Sequence, residues 1–102
     1  MLKIGSVYAT PDPYVTPRDR IKWHICICPR AKLFLRINSN PVWPPWHMLD
    51  EATSTFLDHD SYVELAQLHF LPDAHESEEI GSLTLTEVAA LAMAAMEVPT
   101  LP

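Results

Sequence analysis

The chain has 102 residues, of which 48% are hydrophobic, and its formal net charge is −6. This length allows one domain with one modest core, and the apolar content excludes a largely disordered chain. The acidic balance excludes nucleic-acid binding that is driven by overall charge, but it does not exclude a local basic groove. Residues 43–102 contain no Lys or Arg, so the first part of the chain is locally basic. We therefore expect a single domain over residues 1–102 with an uneven distribution of charge.

Four strands are predicted from apolar runs that lie between polar or proline-rich segments. Residues 4–9 predict the first strand. Residues 21–28, IKWHICIC, alternate between apolar and other side chains, which is typical of a half-buried antiparallel strand. Residues 33–37 predict the returning strand of a hairpin. Residues 62–70 predict the next strand, in which a shift in the phase of the apolar positions indicates a β-bulge or a barrel corner.

The remaining segments are predicted to be loops and one helix. Two clusters of proline mark extended loops, and they consist of Pro11, Pro13 and Pro17 and of Pro41, Pro44 and Pro45. Residues 73–79 predict an acidic, solvated connector. Residues 84–97 predict a helix that begins with a capping box of Thr84 and Glu87. Its apolar stripe consists of Leu85, Val88, Leu91, Ala92, Ala95 and Met96. Together these elements predict a mainly β fold with a C-terminal α-helix, in the form of a small, strongly curved antiparallel barrel.

The cysteines and the chain ends bear on location. Cys26 and Cys28 lie about 6.6 Å apart along one strand face, so a bridge between them would distort the strand. We expect two reduced thiols, which is typical of a cytoplasmic protein. No apolar segment of the signal-peptide type follows Lys3. The longest apolar run, residues 88–96, is too short to cross a bilayer, so no membrane partner is expected.

Three segments carry a resemblance to a known family. WHICICP, LFLRINS and HDSYVELAQL, followed by the C-terminal helix, resemble the PemK/MazF-like toxins of type II toxin–antitoxin systems over about residues 23–68. The resemblance implies an SH3-like barrel, a homodimer, an antitoxin protein as partner, and cleavage of single-stranded RNA without a metal or other cofactor. Family members resemble one another in an arginine before the first of these strands and a Ser or Thr after the second. Here Lys22 and Ser39 occupy these positions.

A catalytic group is predicted around these two positions. Lys22, Arg20 and Arg36 are expected to supply positive charge to a phosphate, with the lysine as a departure from the arginine of the family. Ser39 is expected to donate a hydrogen bond to the phosphate. His24 shares the strand face of Lys22 and is expected to carry protons at neutral pH. The zinc alternative, in which His24 joins the two cysteines, is disfavoured because a strand spreads these ligands too far apart.

The segment FLDHDSYVEL raises a separate question, because it places Asp58, His59 and Asp60 together. A metal or acid–base site is one interpretation. The other is a polar turn before a strand, because Asp and Ser initiate turns through bonds to the backbone. The turn is the favoured interpretation, since two carboxylates on one strand face need a cation or solvent between them.

The loop WPPWH is expected to bind RNA or a partner through Trp43, Trp46 and His47, by stacking on bases or anchoring a peptide. The structural alternative is that the tryptophans cover the end of the barrel. The sequence therefore leaves two functions open. One is a metal-independent endoribonuclease toxin, or a degenerate relative. The other is a non-catalytic SH3-like interaction module that uses the Trp43–Trp46 loop.

Overall fold

A computed structural model describes residues 2–41, 44–50 and 56–97. In this part of the chain, the strands are β1 (Ser6–Asp12), β2 (Arg20–Cys28), β3 (Leu33–Asn38), β4 (Trp46–Leu49), β5 (Ser61–Glu64), β6 (His69–Phe70) and β7 (Glu78–Ser82). A short 3-10 turn (Ala74–Glu76) precedes β7, and the helix α1 (Leu85–Met96) follows it. The fold is mainly β with a C-terminal helix, as predicted. None of the described helices is long and apolar enough to span a membrane.

The strands form one antiparallel sheet. Its order is β4-β5-β3-β2-β1-β7, and β6 pairs with β3 beside β5. The hairpin of β2 and β3 is at the centre of the sheet. β2, the strand that was predicted from its alternating sequence, therefore has a partner strand on each side. The strands at the two ends, β4 and β7, do not pair with each other in the described residues, so the sheet is not closed there.

The predicted strand over residues 62–70 is divided in two. β5 pairs with one end of β3 through Ile37 and Asn38, and β6 pairs with the other end through Leu33 and Phe34. Between them the backbone leaves the sheet, and the N–H of Leu65 donates to the carbonyl of Pro45 at 3.1 Å. The irregularity that the shift in apolar phase indicated is therefore confirmed, and it marks a break in the strand.

Two strands were not predicted. β4 lies where a loop was expected, directly after Pro44 and Pro45, and pairs only with β5 among the described strands. β7 begins at Glu78, inside the segment 73–79 that was interpreted as a solvated connector. The acidic side chains of that segment are exposed, as predicted, but its last two residues belong to a strand. β4 and β7 are both edge strands, and their exposed polar or proline-flanked residues resemble loop sequence because one side of an edge strand faces water.

Helix α1 covers one face of the sheet. Its capping box is confirmed, because the N–H of Glu87 donates to Thr84 Oγ1 at 3.1 Å and the N–H of Thr84 donates to Glu87 Oε1 at 3.0 Å. The predicted apolar stripe is too wide, since Leu85 and Met96 are 83% and 84% exposed. The helix approaches the chain before β1 at Gly5 (φ 83°), where a Cβ atom would lie 2.8 Å from Val88 Cγ2.

The two faces of the sheet are both covered near its centre. The face under α1 carries the larger core, which consists of Val7, Ile25, Leu35, Ile37, Leu49, Leu57, Val63, Leu83 and Leu91. The opposite face carries a smaller cluster of Tyr8, Cys26, Phe34, Leu71 and Ala74. The prediction of a half-buried β2 is therefore wrong at the strand centre, where His24 and Cys26 are as fully buried as Ile25. The loop after β6, with Leu71 and Ala74, provides the second cover.

Candidate functional site

A cleft of about 230 Å³ opens where β2 begins, β3 ends and β5 begins. It is lined by Arg20, Ile21, Lys22, Trp23, Ile37, Asn38, Ser39, His59 and Ser61. Trp23 on β2 pairs with Ile37 on β3. The residues before Trp23 and those after Ile37 therefore flank the cleft on two sides. The structure thus brings together Arg20, Lys22 and Ser39, three of the residues predicted from the sequence.

The cleft is locally basic in an acidic protein. Arg20 is exposed and Lys22 is half-buried, and no carboxylate lines the cleft among the described residues. Burial, and then the positive charges of Arg20 and Arg36, lower the pKa of Lys22. An anion bound in the cleft would offset that repulsion and favour the protonated lysine. Together with the Ser39 hydroxyl, this chemistry suits a phosphate group.

Behind the cleft, the polar side of the sheet holds a buried ionic network. Asp12 Oδ2 accepts hydrogen bonds from Arg36 Nε and from His24 Nε2, both at 2.8 Å. Asp12 Oδ1 accepts from the N–H of Tyr14 at 2.9 Å. Burial alone would raise the pKa of Asp12, but the bonds from Arg36, His24 and the backbone outweigh it and lower the pKa to about 2. The carboxylate is therefore ionised and acts only as an acceptor.

Arg36 connects this carboxylate to a second one. Its Nη1 donates to Glu64 Oε2 at 3.1 Å, and Asn38 Nδ2 donates to the same oxygen at 2.6 Å. The guanidinium, which β3 carries, is thus held by charge-assisted bonds to side chains of β1 and β5. Because Asn38 also lines the cleft, the network fixes one wall of it.

Two of the predicted catalytic residues belong to this network and not to the lining of the cleft. His24 is fully buried, and because Asp12 is ionised, its Nε2 carries the proton of their hydrogen bond. Burial lowers the pKa of His24, and its Nδ1 has no hydrogen-bond partner among the described residues. Arg36 is also buried. Direct contact of His24 and Arg36 with a phosphate stays a prediction. In the structure, both side chains lie in the network behind the cleft.

The two described residues of the predicted RNA- or partner-binding group are separate from the cleft. Trp46 and His47 lie on β4, and neither lines the cleft. The Trp46 side chain is 41% exposed and packs edge-on against Tyr62, with ring centroids 5.0 Å apart. Trp43 lies outside the described residues. Trp46 and His47 therefore lie at the edge of the sheet, on the far side of β5 from β3.

Several residues of the site were not assigned to it from the sequence. Residues 58–60 do form the polar bend before β5, as predicted, yet His59 also lines the cleft, beside Ser61. Asp12 was assigned to a proline-rich loop, although it ends β1. The position of Asp12 in the sequence could have indicated its role. An aspartate at the end of an apolar strand, next to prolines, is a candidate for a buried partner of a cation.

His69 adds a second buried imidazole to this side of the sheet. Its ring centroid lies 6.3 Å from that of His24 and 5.6 Å from that of Tyr14. Neither ring nitrogen has a hydrogen-bond partner in the described part of the chain, and burial lowers its pKa.

Cysteine chemistry does not enter the site. Burial, together with the neighbouring Cys28, raises the pKa of Cys26 to about 11, so its thiol stays protonated. Across the described ranges, no group of three or more His, Cys, Asp or Glu residues is arranged to hold a metal ion.

Comparison of the sequence with protein-family models and with curated proteins finds no match. The resemblance to PemK/MazF-like toxins therefore stays a prediction.

Proposed function

We propose that the protein is a metal-independent endonuclease of single-stranded RNA, either a cytoplasmic toxin of a type II toxin–antitoxin system or a degenerate relative of one. The observation that carries the proposal is the cleft in which Arg20, Lys22 and Ser39 converge. Lys22 and Ser39 are the two positions that the family resemblance singled out; Lys22 lies on β2, and Ser39 directly follows β3. Their meeting in one basic cleft supports a site for a phosphate.

The proposed reaction uses the RNA as its own nucleophile. The 2′-oxygen attacks the adjacent phosphorus, the bond from phosphorus to the 5′-oxygen breaks, and the products carry a 2′,3′-cyclic phosphate and a 5′-hydroxyl. Negative charge increases on the phosphate oxygens during the attack. Arg20 and Lys22 stabilise that charge, and Ser39 donates a hydrogen bond to it. The charge of Arg36 is paired with Asp12 and Glu64, so this side chain supports the cleft wall at Asn38, which is bonded to the same Glu64 oxygen.

The proposal also includes the finer architecture: an SH3-like barrel that pairs with a second copy and is inhibited by an antitoxin protein. The strongly interrupted antiparallel sheet is compatible with such a barrel. An apolar groove of about 1120 Å³ lies between α1 and the sheet, with Ile27, Leu65 and Ala92 among its lining residues. Soluble monomers rarely leave an apolar surface of this kind uncovered. Light scattering at micromolar concentration tests pairing, since a mass of 11.5 kDa at all concentrations would exclude it.

The test of the activity is cleavage of a long RNA of mixed sequence, with and without EDTA. Cleavage in both conditions is expected, with a 2′,3′-cyclic phosphate on the products. The double variant Lys22→Met with Ser39→Ala should be inactive, whereas Lys22→Arg should be at least as active as the wild type because its guanidinium can hold a phosphate at two points. No cleavage at any reasonable dose would refute the proposal.

The second candidate is a non-catalytic interaction module that uses the Trp43–Trp46 loop. The observation in its favour is the exposure of Trp46 and Met48 on β4, which is an edge strand, because aromatic side chains and Met often anchor protein partners. Trp46→Ala separates the two functions. It should abolish capture of a protein partner under the second proposal. Under the first, cleavage should persist because Trp46 does not line the cleft, and weaker RNA binding would agree with the predicted stacking role.

A further inference from the structure

The cleft contains a proton-transfer group that the family resemblance did not indicate. Attack by a 2′-hydroxyl requires a base to accept its proton. Among the described residues that line the cleft, His59 alone has a side chain that ordinarily exchanges protons near neutral pH. His24, the predicted proton carrier, is fully buried and bonded to Asp12. The base must therefore be sought at the mouth of the cleft, where the His59 side chain is 52% exposed.

The neighbouring aspartate sets the tautomer of this imidazole. Asp58 Oδ1 and His59 Nδ1 are joined by a hydrogen bond. This bond and the charge of the imidazole lower the pKa of Asp58, so the carboxylate is ionised and accepts the bond. In the neutral imidazole, Nδ1 therefore carries the hydrogen, and the lone pair is on Nε2. In this tautomer the lone pair on Nε2, the nitrogen away from Asp58, is free to accept a proton, as a general base requires.

The backbone of His59 is also fixed. Ser61 Oγ donates to the His59 carbonyl at 3.4 Å, and Ser61 is the buried first residue of β5. Ser61 pairs with Leu49 of β4 and itself lines the cleft. The histidine is thus attached to the sheet within two residues of a paired strand, which limits how far its ring can move from Lys22 and Ser39.

We propose that His59 is the catalytic base of the cleft and that Asp58 is its positioning residue; this inference rests on the proposed function. The 2′-hydroxyl proton passes to His59 Nε2 as the 2′-oxygen bonds to phosphorus. The bond to the 5′-oxygen then breaks with its electron pair on that oxygen, which takes a proton from the solvent that reaches the open cleft. The imidazolium returns its proton to solvent, so the cycle consumes no other reactant.

The direct test compares His59→Gln with a matched control, His75→Gln. His75 is also an exposed histidine beside an acid, with its Nε2 3.8 Å from Glu76 Oε1, and it does not line the cleft. The substrate is a fluorescent single-stranded RNA that the wild type cleaves. Loss of a general base should lower the cleavage rate of His59→Gln by ~10²–10⁴-fold. The control should cleave within about threefold of the wild type.

Two measurements separate a catalytic role from a structural one. The affinity for a 2′-deoxy version of the same oligonucleotide, which cannot react, should be the same for the wild type and His59→Gln. Added imidazole should partly restore cleavage by His59→Ala, because the small molecule can occupy the space of the lost ring. Asp58→Asn should retain binding but show a changed dependence of the cleavage rate on pH, since the tautomer is then no longer fixed.

The possible failures are distinguishable. If the wild type cleaves RNA and His59→Gln cleaves within threefold of it, the base assignment is wrong and the proposed function stands. If the wild type cleaves no RNA, both are wrong. If His59→Gln loses affinity for the 2′-deoxy oligonucleotide in proportion to its activity, or imidazole restores nothing, His59 serves binding or folding instead. Thermal unfolding of each variant identifies any that do not fold, and His59→Asn then replaces His59→Gln.

Discussion

On one face of the sheet, Ile25 and Leu35 are opposite each other under α1, and in the next pair of the same two strands His24 is opposite Arg36 on the other face. Both pairs are buried. The first belongs to an apolar core, whose contribution to stability depends on the area and volume that its side chains fill. The second belongs to an ionic network, which is stabilising only while each buried charge has its partner. One alternating sequence therefore produces two cores that should respond differently to substitution and to pH.

The largest effect is expected from Asp12→Ala, which removes the acceptor shared by Arg36 and His24. A buried guanidinium then loses one of its carboxylates, and the free energy of unfolding should fall by about 3–5 kcal/mol. Urea unfolding followed by circular dichroism measures this. Asp73→Ala is the control, because Asp73 is exposed and its side chain caps nothing, and it should change stability by less than about 0.5 kcal/mol. A loss below about 1 kcal/mol for Asp12→Ala would contradict the importance of the network.

On the apolar face, Leu91→Ala should lower the free energy of unfolding by about 2–5 kcal/mol, because it leaves a cavity between α1 and the sheet. Met93→Ala on the same helix is its control, since Met93 is 65% exposed, and should change stability by about 0.5 kcal/mol or less. Equal losses for the two variants would show that α1 does not pack on the sheet as described. Denaturant unfolding is again the measurement.

Acidification should act on the ionic face. Burial lowers the pKa of His24 and His69, so both stay neutral in the folded state when unfolded histidines are already protonated. The unfolded state then binds more protons, and stability falls as the pH drops below about 6.5. Asp12 adds a loss of roughly 2 kcal/mol as the pH falls through its ordinary value of 3.8 toward about 2. Thermal midpoints between pH 8 and about pH 2 measure both steps.

A matched variant sharpens the pH experiment. His69→Phe keeps an aromatic ring beside Tyr14 and His24 but removes one titrating group, so its stability should fall less between pH 7 and pH 5 than that of the wild type. Leu91→Ala should keep the pH dependence of the wild type at lower stability throughout. Identical midpoints of the wild type at pH 7.5 and pH 5.5 would contradict neutral, buried histidines.

The smallest effect is expected from Thr84→Ala, which removes the capping box of α1 and should cost about 1 kcal/mol. Because α1 covers only the apolar face, hydrogen exchange should increase in the helix and remain unchanged at the amides of β2 beside His24. Faster exchange at both places would show that the two cores unfold together at this level of destabilisation.

Local patterns predicted those parts of the fold that depend on neighbouring residues. The alternation of β2, the capping box of Thr84 and the break between β5 and β6 are all visible in the sequence, because each reflects contacts within one element or one hairpin. The edge strands β4 and β7 were missed because they pair on one side only, and their composition is close to that of loops. The second cover over Cys26 was missed because it comes from Leu71 and Ala74, which are distant in sequence.

The candidate site was predictable to a similar extent. Lys22 and Ser39 came from the family resemblance, and Arg20 from its nearby charge. Asp12 and Glu64 were not assigned, and the acid–base interpretation of His59 was set aside in favour of a turn, because the neighbours of these side chains are unknown until the register of three strands is known. Pairing decides which of these side chains share a face, and no local pattern contains that information.

The pairing of β1 with β7 has a consequence for the order of folding. Tyr8 is opposite Glu79 in this ladder, and its hydroxyl donates to the Glu79 carboxylate at 3.4 Å across 71 positions of sequence. Contacts this distant must wait for a large loop to close, which places the chain among the slower two-state folders, with times of milliseconds to seconds. During synthesis, the hairpin of β2 and β3 can form early, but the outer edge of β1 has no partner until nearly four-fifths of the chain has been made. That edge is therefore the surface most exposed to wrong pairing in a nascent chain.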